Sequence, residues 1–93
     1  MANVRVPSML RGAVGGERVV DAEGTTLREL IHDLDRRHPG FAGQLLGPEG
    51  EQRQFVNIYV NDEDVRYLAG LDTTVGEGDV VSILPAVAGG ATR

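Results

Sequence analysis

The sequence of 93 residues contains neither cysteine nor lysine, and each absence removes a class of chemistry. Without cysteine the chain can form no disulfide, thiolate metal site, cysteine nucleophile or cysteine persulfide. Without lysine it has no side-chain amine for a Schiff base, a Walker-type phosphate site or an isopeptide bond, and its nine basic residues are all arginine. Any covalent chemistry must therefore use other groups.

Charge and hydropathy narrow the range of partners. Fourteen acidic residues against nine basic ones give a net charge of −5, which argues against nucleic acid, because nucleic-acid binding draws on clustered positive charge. We expect an acidic surface that suits a partner protein with a basic face. No apolar run approaches the roughly 18 residues of a membrane span, and the N-terminal segment lacks a signal-peptide core. We therefore expect a cytoplasmic protein with no membrane partner.

The apolar pattern predicts one domain with elements in the order β-β-α-β-(short β)-β. Strands are predicted at residues 3–6, 17–22, 55–60 and 80–85, with a short edge strand within 65–71. Reversals are predicted at 10–16, 61–64 and 76–79, and short helical turns at 41–46 and 72–75. The first two strands should form a hairpin around the glycine-rich reversal.

The clearest element is a helix that begins at Leu27. Thr26 and Glu29 fit a capping box, in which each side chain accepts the backbone N–H of the other residue. Pro39-Gly40 ends the helix. Its apolar residues form a single stripe, at Leu27, Leu30, Ile31 and Leu34.

A hairpin, one helix and further strands can bury that stripe only against one face of a sheet. The strand residues expected beneath it share one face by alternation; they are Val56, Ile58, Val60, Val81 and Ile83. The predicted fold is therefore α+β: a β-grasp, ubiquitin-like roll with a mixed sheet of four or five strands and one main helix on one face.

No combination of polar residues predicts catalysis by the chain itself. His32 and His38 are six residues apart on the helix, which is the wrong spacing for a shared metal ion. Asp33 and Asp35 point to different sides of that helix and so cannot act as a carboxylate pair. The polar segment 61–64 lacks the ligand spacing of a calcium loop. We predict a protein substrate of other enzymes.

Two segments resemble a known family: Val-Asn-Ile-Tyr-Val-Asn-Asp-Glu-Asp-Val-Arg at 56–66 and Leu-Pro-Ala-Val-Ala-Gly-Gly at 84–90. With them, nearly the whole chain resembles the MoaD/ThiS family of β-grasp sulfur carriers, and most closely the type that serves cysteine biosynthesis. The resemblance implies a carrier domain over 1–88 and a flexible C-terminal tail over 86–93. It also implies that the carboxylate of Gly90 is adenylated and then converted to a thiocarboxylate.

The resemblance implies partners and no cofactor bound by the chain. An E1-like adenylyltransferase of the MoeB/ThiF type would use ATP to activate Gly90, and a synthase similar to cysteine synthase would accept the sulfur. Because Ala91-Thr92-Arg93 follow Gly90, a JAMM-type zinc metallopeptidase should first cleave between Gly90 and Ala91. A cloning remnant at 91–93 would remove the need for that step.

The residues expected to contact these partners lie in the tail and at its root. They are Leu84, Pro85, Val87, Ala88 and Gly89, with Phe55 and Tyr59 as an apolar patch ringed by acidic groups. Phe55 and Tyr59 could equally cover a sheet edge. Two wider alternatives stay open. The sulfur could go to molybdopterin, thiamin or a specialised thio-metabolite, or the chain could be a non-catalytic ubiquitin-like interaction module or tag.

Overall fold

The computed structural model describes residues 1–54 and 56–85, with only the backbone of Pro85. Its five strands are β1 (Ala2–Arg5), β2 (Val19–Ala22), β3 (Val56–Val60), β4 (Glu63–Asp64) and β5 (Val80–Pro85). Its α-helices are α1 (Leu27–Arg37) and α2 (Ala42–Leu45). Three 3₁₀ turns cover Ser8–Val14, Val65–Tyr67 and Gly70–Asp72. None of the helices in these residues has the length and apolar character needed to cross a bilayer.

The strands form one mixed sheet in the order β2-β1-β5-β3-β4. β1 and β5 run parallel at its centre, and every other neighbouring pair is antiparallel. The hairpin predicted from the first two strands is present, with Val4 opposite Val20. The last strand lies between the first and the third, which places Pro85, the residue before the tail, in the middle of the sheet rather than at an edge.

The helix stripe packs on the sheet as predicted. Leu27, Leu30, Ile31 and Leu34 are all buried in one cluster with Ile58, Val60, Val81 and Ile83, and Val56 is partly buried against it. The short helix α2 closes the cluster with Phe41, Leu45 and Leu46. Gly24 allows the close approach of α1, because a Cβ there would lie 2.6 Å from the backbone nitrogen of Leu30.

Several boundaries differ from the prediction. The segment predicted as a reversal at 10–16 is largely the 3₁₀ turn Ser8–Val14, which buries Val14 and leaves β2 to begin at Val19. The glycines at 12, 15 and 16 indicated a break in the chain but not this compact turn.

The edge strand predicted within 65–71 is wrong. The edge strand is β4, at Glu63–Asp64, and two 3₁₀ turns follow it. Asn61 and Asp62 have positive φ angles of 51° and 73°, so the hairpin turn is only two residues long and β4 begins earlier than predicted. The side chain of Asp64 then accepts the N–H of Arg66 at 2.9 Å and starts the first turn. The helical turn predicted at 72–75 lies at Gly70–Asp72 instead.

The cap of α1 differs from the predicted capping box by one residue. The hydroxyl of Thr26 accepts the N–H of Glu29 at 3.2 Å, as expected. The carboxylate of Glu29, however, accepts the N–H and the hydroxyl of Thr25, at 2.9 and 2.8 Å. The bonds from Thr25 hold the pKa of Glu29 below its ordinary value.

Asp33 is a buried acid on α1, with 7% of its surface exposed. Its Oδ2 accepts the backbone N–H of Glu23 at 2.9 Å and Nε of Arg37 at 2.8 Å, and Oδ1 accepts Nη2 of Arg36. These bonds, with that from Glu23 the largest, hold the pKa of Asp33 below its ordinary value against the opposing effect of burial. The carboxylate thus ties α1 to the end of β2.

Asp33→Asn is expected to lower the free energy of unfolding by about 1–3 kcal/mol near pH 6, because a charged acceptor of three hydrogen bonds is lost. The folded pKa lies below the unfolded value of about 3.9, so the unfolded chain binds more protons between the two. The carboxylate's contribution is complete above the unfolded pKa and is lost as the pH falls through the folded pKa. Urea unfolding at pH 6 and in acid should show the difference between the two proteins shrinking.

The exposed Asp21 provides the control for this comparison. Asp21→Asn should change the free energy of unfolding by less than about 0.5 kcal/mol at pH 6. A deficit in Asp33→Asn that stayed constant down to acid pH would contradict the stabilising role of the ionised carboxylate.

Candidate functional site

The face of the sheet opposite α1 carries one row of side chains that crosses all five strands. Residues paired directly across neighbouring strands point to the same face. The register therefore aligns, from β2 to β4, Val19, Arg5, Ser82, Tyr59 and Asp64. Val19, the first residue of β2, is 48% exposed on this open face.

A cleft of about 540 Å³ lies on this open face, where β5 approaches its end. It brings together two of the predicted contact residues, Tyr59 and Leu84, and Leu84 is 49% exposed. Val19 also lines the cleft, and it is the other half-exposed aliphatic residue there. Leu84 is the residue immediately before Pro85, so the cleft adjoins the point at which the chain continues into the tail.

The lining of this cleft is more basic than predicted, although Asp64 lies directly opposite Tyr59 on the same face. Three of the nine arginines line it, Arg5, Arg11 and Arg18, against one acidic residue, Asp62. We expected Leu84 and Tyr59 to be ringed by acidic groups. The net charge of −5 describes the whole chain, and it does not reveal that cations spread over residues 5–18 meet at one place. We call this site the arginine cleft.

The three arginines of the cleft form no ion pair with any side chain of the described residues. Within residues 1–54 and 56–85 the ion pairs of arginine involve Arg28, Arg36 and Arg37. Arg11 donates through Nε to the carbonyl of Val6 at 3.1 Å, which orients its guanidinium group without cancelling its charge. The cleft therefore carries a concentration of positive charge in an otherwise acidic protein.

Arg66 organises the strand that borders the root of the tail. Its Nη2 donates to the carbonyls of Arg53 (3.2 Å), Gln54 (3.3 Å) and Val56 (2.8 Å). Its Nη1 donates to the side chain of Asn57. In the pair of β3 and β5, Asn57 lies opposite Leu84 and Val56 lies opposite Pro85. Arg66 therefore holds the part of β3 that pairs with the end of β5. The sequence prediction included this arginine in a motif but assigned it no role.

The remaining predicted site residues lie outside the described part of the chain. They are Phe55, Val87, Ala88, Gly89, Gly90 and Ala91. Their roles, including those of the reacting Gly90 and of the cleavage site, stay predictions. The role of the Pro85 side chain also stays a prediction, although the backbone of Pro85 ends β5.

The polar residues considered for catalysis make separate structural contacts and do not act as a pair. Asp35 accepts the backbone N–H groups of Gly40 and Ala42, each at 3.0 Å, whereas Asp33 binds the arginines of its own helix. His32 is exposed, and His38 caps the end of α1. In residues 1–54 and 56–85, no cluster of three potential metal ligands occurs.

This arrangement of one helix on a mixed five-stranded sheet is the β-grasp fold of small ubiquitin-like proteins. It superposes on a chain of the crystal structure of the Amycolatopsis orientalis BexX/CysO complex with a TM-score of 0.90, at 47% identity, over 97% of this chain and 100% of that one. The profile of the ThiS family matches residues 4–90. The chain therefore belongs to the ThiS family.

Two relatives narrow the assignment within that family. The chain is 49% identical over 89 residues to sulfur carrier protein CysO of Mycobacterium tuberculosis, covering 94% of this chain and 96% of that protein. It is 35% identical over 68 residues to small archaeal modifier protein 3 of Haloferax volcanii, covering 73% of each. The chain is a CysO-like sulfur carrier, a small protein substrate and donor rather than a catalyst. The predicted family and fold are confirmed.

Proposed function

We propose that the chain carries sulfur as a thiocarboxylate on Gly90. The carboxylate of Gly90 attacks the α-phosphate of ATP, releases pyrophosphate and forms an acyl-adenylate. A sulfide equivalent then displaces AMP at the same carbonyl carbon and leaves a thiocarboxylate. The observation that carries the proposal is the 49% identity to CysO together with a family match that ends at Gly90.

The position of β5 supports this use of the tail. The strand ends at Pro85 beside the arginine cleft, and the five residues from there to Gly90 could span at most about 17 Å when extended. That length would let the reacting carboxylate enter an enzyme while the folded domain stays outside. Gly89 and Gly90 have no Cβ, so they suit a narrow channel, with Val87 and Ala88 leading into it.

The proposed partners act in sequence on Gly90. Because Ala91 is bonded to Gly90, a JAMM-type zinc metallopeptidase first releases the carboxylate. An E1-like enzyme of the MoeB/ThiF type then adenylates it with ATP and exchanges oxygen for sulfur in the cytoplasm. A synthase similar to cysteine synthase receives the sulfur on an activated serine. CysO of Amycolatopsis orientalis crystallises in complex with BexX, which shows that a similar carrier docks on a protein partner.

We propose that docking uses the open face of the sheet. Leu84 and Tyr59 provide the apolar contacts in the described residues, and Pro85, Val87 and Phe55 would extend them along the tail root. Exposed apolar side chains beside charged ones are typical of transient interfaces. The docking face does not identify the enzyme that accepts the sulfur. That enzyme could instead make molybdopterin, thiamin or a specialised thio-metabolite.

A second function is favoured by the similarity to small archaeal modifier protein 3. In that case activated Gly90 would be joined to an amine of a target protein as a ubiquitin-like tag. The chain itself has no lysine, so it could not build chains on its own side chains. The two functions share the adenylation step and differ in what displaces AMP.

The intact mass of the protein purified from its own cells tests the proposal. We expect a chain that ends at Gly90 and is heavier by the mass difference between sulfur and oxygen, because one carboxylate oxygen has been replaced. Alkylation with iodoacetamide should add one group, since the protein has no cysteine to react. An unprocessed, unmodified chain would contradict the proposal, and conjugates joined through Gly90 would favour the modifier function.

A further inference from the structure

Five of the eight arginines in residues 1–54 and 56–85 form no ion pair with a carboxylate of those residues, and three of the five line one surface. The arginine cleft collects Arg5, Arg11 and Arg18, which form no ion pair with the carboxylates of residues 1–54 and 56–85. In a chain of net charge −5, nearby acids would be expected to attract these cations. These arginines instead line a cleft in which Asp62 is the one acidic lining residue of the described chain.

The same cleft exposes apolar surface between the cations. Val19 lies directly opposite Arg5 in the β1–β2 pair, and the backbone of Arg5 pairs with that of Ser82, next but one to Leu84. Val19 and Leu84 each leave about half of their surface in water, at 48% and 49%. A volume of about 540 Å³ is that of a site for a few side chains rather than for a whole domain. Its ligand should therefore combine negative charge with one or two apolar side chains.

Three other occupants match this chemistry less well. The chain's own tail, residues 86–93, has no acidic side chain to offer the arginines. Nucleic acid would be repelled by the net negative charge and would gain little from Val19 and Leu84. A second copy of this chain would have to bring together two molecules of net charge −5. An acidic segment of a different protein satisfies both the charge and the apolar surface.

We propose that the arginine cleft binds a segment of a partner protein that carries several carboxylates and at least one apolar side chain. Carboxylates match guanidinium groups in a bidentate geometry, and the apolar side chain would cover Leu84 and Val19. Because the cleft adjoins Pro85, the segment belongs to an enzyme that receives the tail. Only that last identification rests on the proposed function; the binding does not.

Two synthetic pentapeptides test the binding without knowledge of the partner. Both contain one leucine and one phenylalanine and are capped at both ends; one has three glutamates and the other has glutamines in their place. Titrated into the full chain at low salt, the glutamate peptide is expected to shift the amide NMR signals of Ser82 and Leu84. It should bind about tenfold more tightly than the glutamine peptide. Equal binding of the two peptides, or no binding of either, would overturn the proposal.

A pair of charge reversals locates the interaction. Arg18→Glu removes a cleft cation whose guanidinium group makes no hydrogen bond within residues 1–54 and 56–85, and it should weaken binding of the glutamate peptide about tenfold. Arg28→Glu makes the same change of net charge on α1, where Arg28 forms an exposed pair with Asp72 at 3.4 Å, and should leave binding within about twofold. Equal losses in both variants would overturn the proposal. Amide spectra of each free variant verify that it is folded.

The other occupants and the partner assignment are separated by further arms of the same experiment. A ten-nucleotide thymidine oligomer that bound as tightly as the glutamate peptide, or dimerisation of the free chain that masked Leu84, would overturn the proposal. With a ThiF-type activating enzyme, Arg18→Glu should raise KM for the chain more than it lowers kcat. Peptide binding to a wild-type chain that never becomes adenylated would refute the proposed function while supporting the acidic-segment site.

Discussion

A chain that ends at Gly90 is expected to become adenylated and thiocarboxylated without a peptidase, and Gly90→Leu in that chain should lower the rate by about 100-fold or more. A side chain on the residue that bears the reacting carboxylate would displace the carboxylate within the channel of the activating enzyme. Misplacement by about 1 Å can cost a reaction on the order of 100-fold. Each chain is incubated with the activating enzyme, ATP and sulfide, and its intact mass then shows how much thiocarboxylate has formed.

The controls separate the tail from the fold. Gly43→Ala adds the first carbon of a side chain at a position where no atom lies within 4 Å, so activation should be unchanged. Gly90→Leu should leave unfolding by urea unchanged, because Gly90 follows the last described strand by five residues. Gly43→Ala should raise the free energy of unfolding by about 0.5–1 kcal/mol, because alanine is favoured over glycine inside a helix such as α2. The chain that retains Ala91-Thr92-Arg93 should form no thiocarboxylate until a zinc metallopeptidase removes them. Thiocarboxylate found on that longer chain would refute the proposed role of Gly90.

The elements that sequence predicted well are those defined by periodicity over several residues. The stripe of α1 repeats at helical spacing and needs one apolar surface to cover it, which largely determines the helix and the face on which it packs. Alternation in β3 and β5 likewise identifies their buried residues. Short elements offer no such repeat. The two residues of β4 depend on the positive φ angles of Asn61 and Asp62. Asparagine and aspartate tolerate this backbone conformation but do not require it, so the sequence alone does not predict the turn.

The residues of the candidate site that belong to one continuous motif could be predicted from the sequence. The residues that meet only after folding could not. Leu84 stands out because it precedes the tail within a motif. The arginine cleft depends on β1 lying beside β5, which brings Arg5 next to Ser82 although 77 positions separate them (82 − 5). Arg66 likewise serves carbonyls about ten residues earlier. Net charge and local pattern contain no information about such meetings, because the sheet order decides them.

The two leucines on opposite sides of the sheet should separate stability from function. Leu30 is completely buried under the sheet, and Leu30→Ala should lower the free energy of unfolding by about 2–5 kcal/mol, since it removes packed methyl groups and leaves a cavity. A domain of this size is stabilised by only about 5–10 kcal/mol, so this one change could remove much of the total. Urea unfolding measures the loss.

Leu84 provides the matched substitution, because the same atoms are removed from a side chain that is already 49% exposed. Leu84→Ala should cost less than about 1 kcal/mol of stability, yet it should weaken docking and raise KM for the chain in the activation assay. Leu30→Ala, assayed in conditions where it remains folded, should show the reverse pattern, with near-normal KM. Equal losses of stability would contradict the different burial of the two leucines, and an unchanged KM for Leu84→Ala would contradict docking on the open face. The opposed outcomes follow from the sheet itself, since one face is closed by α1 and the other carries the arginine cleft.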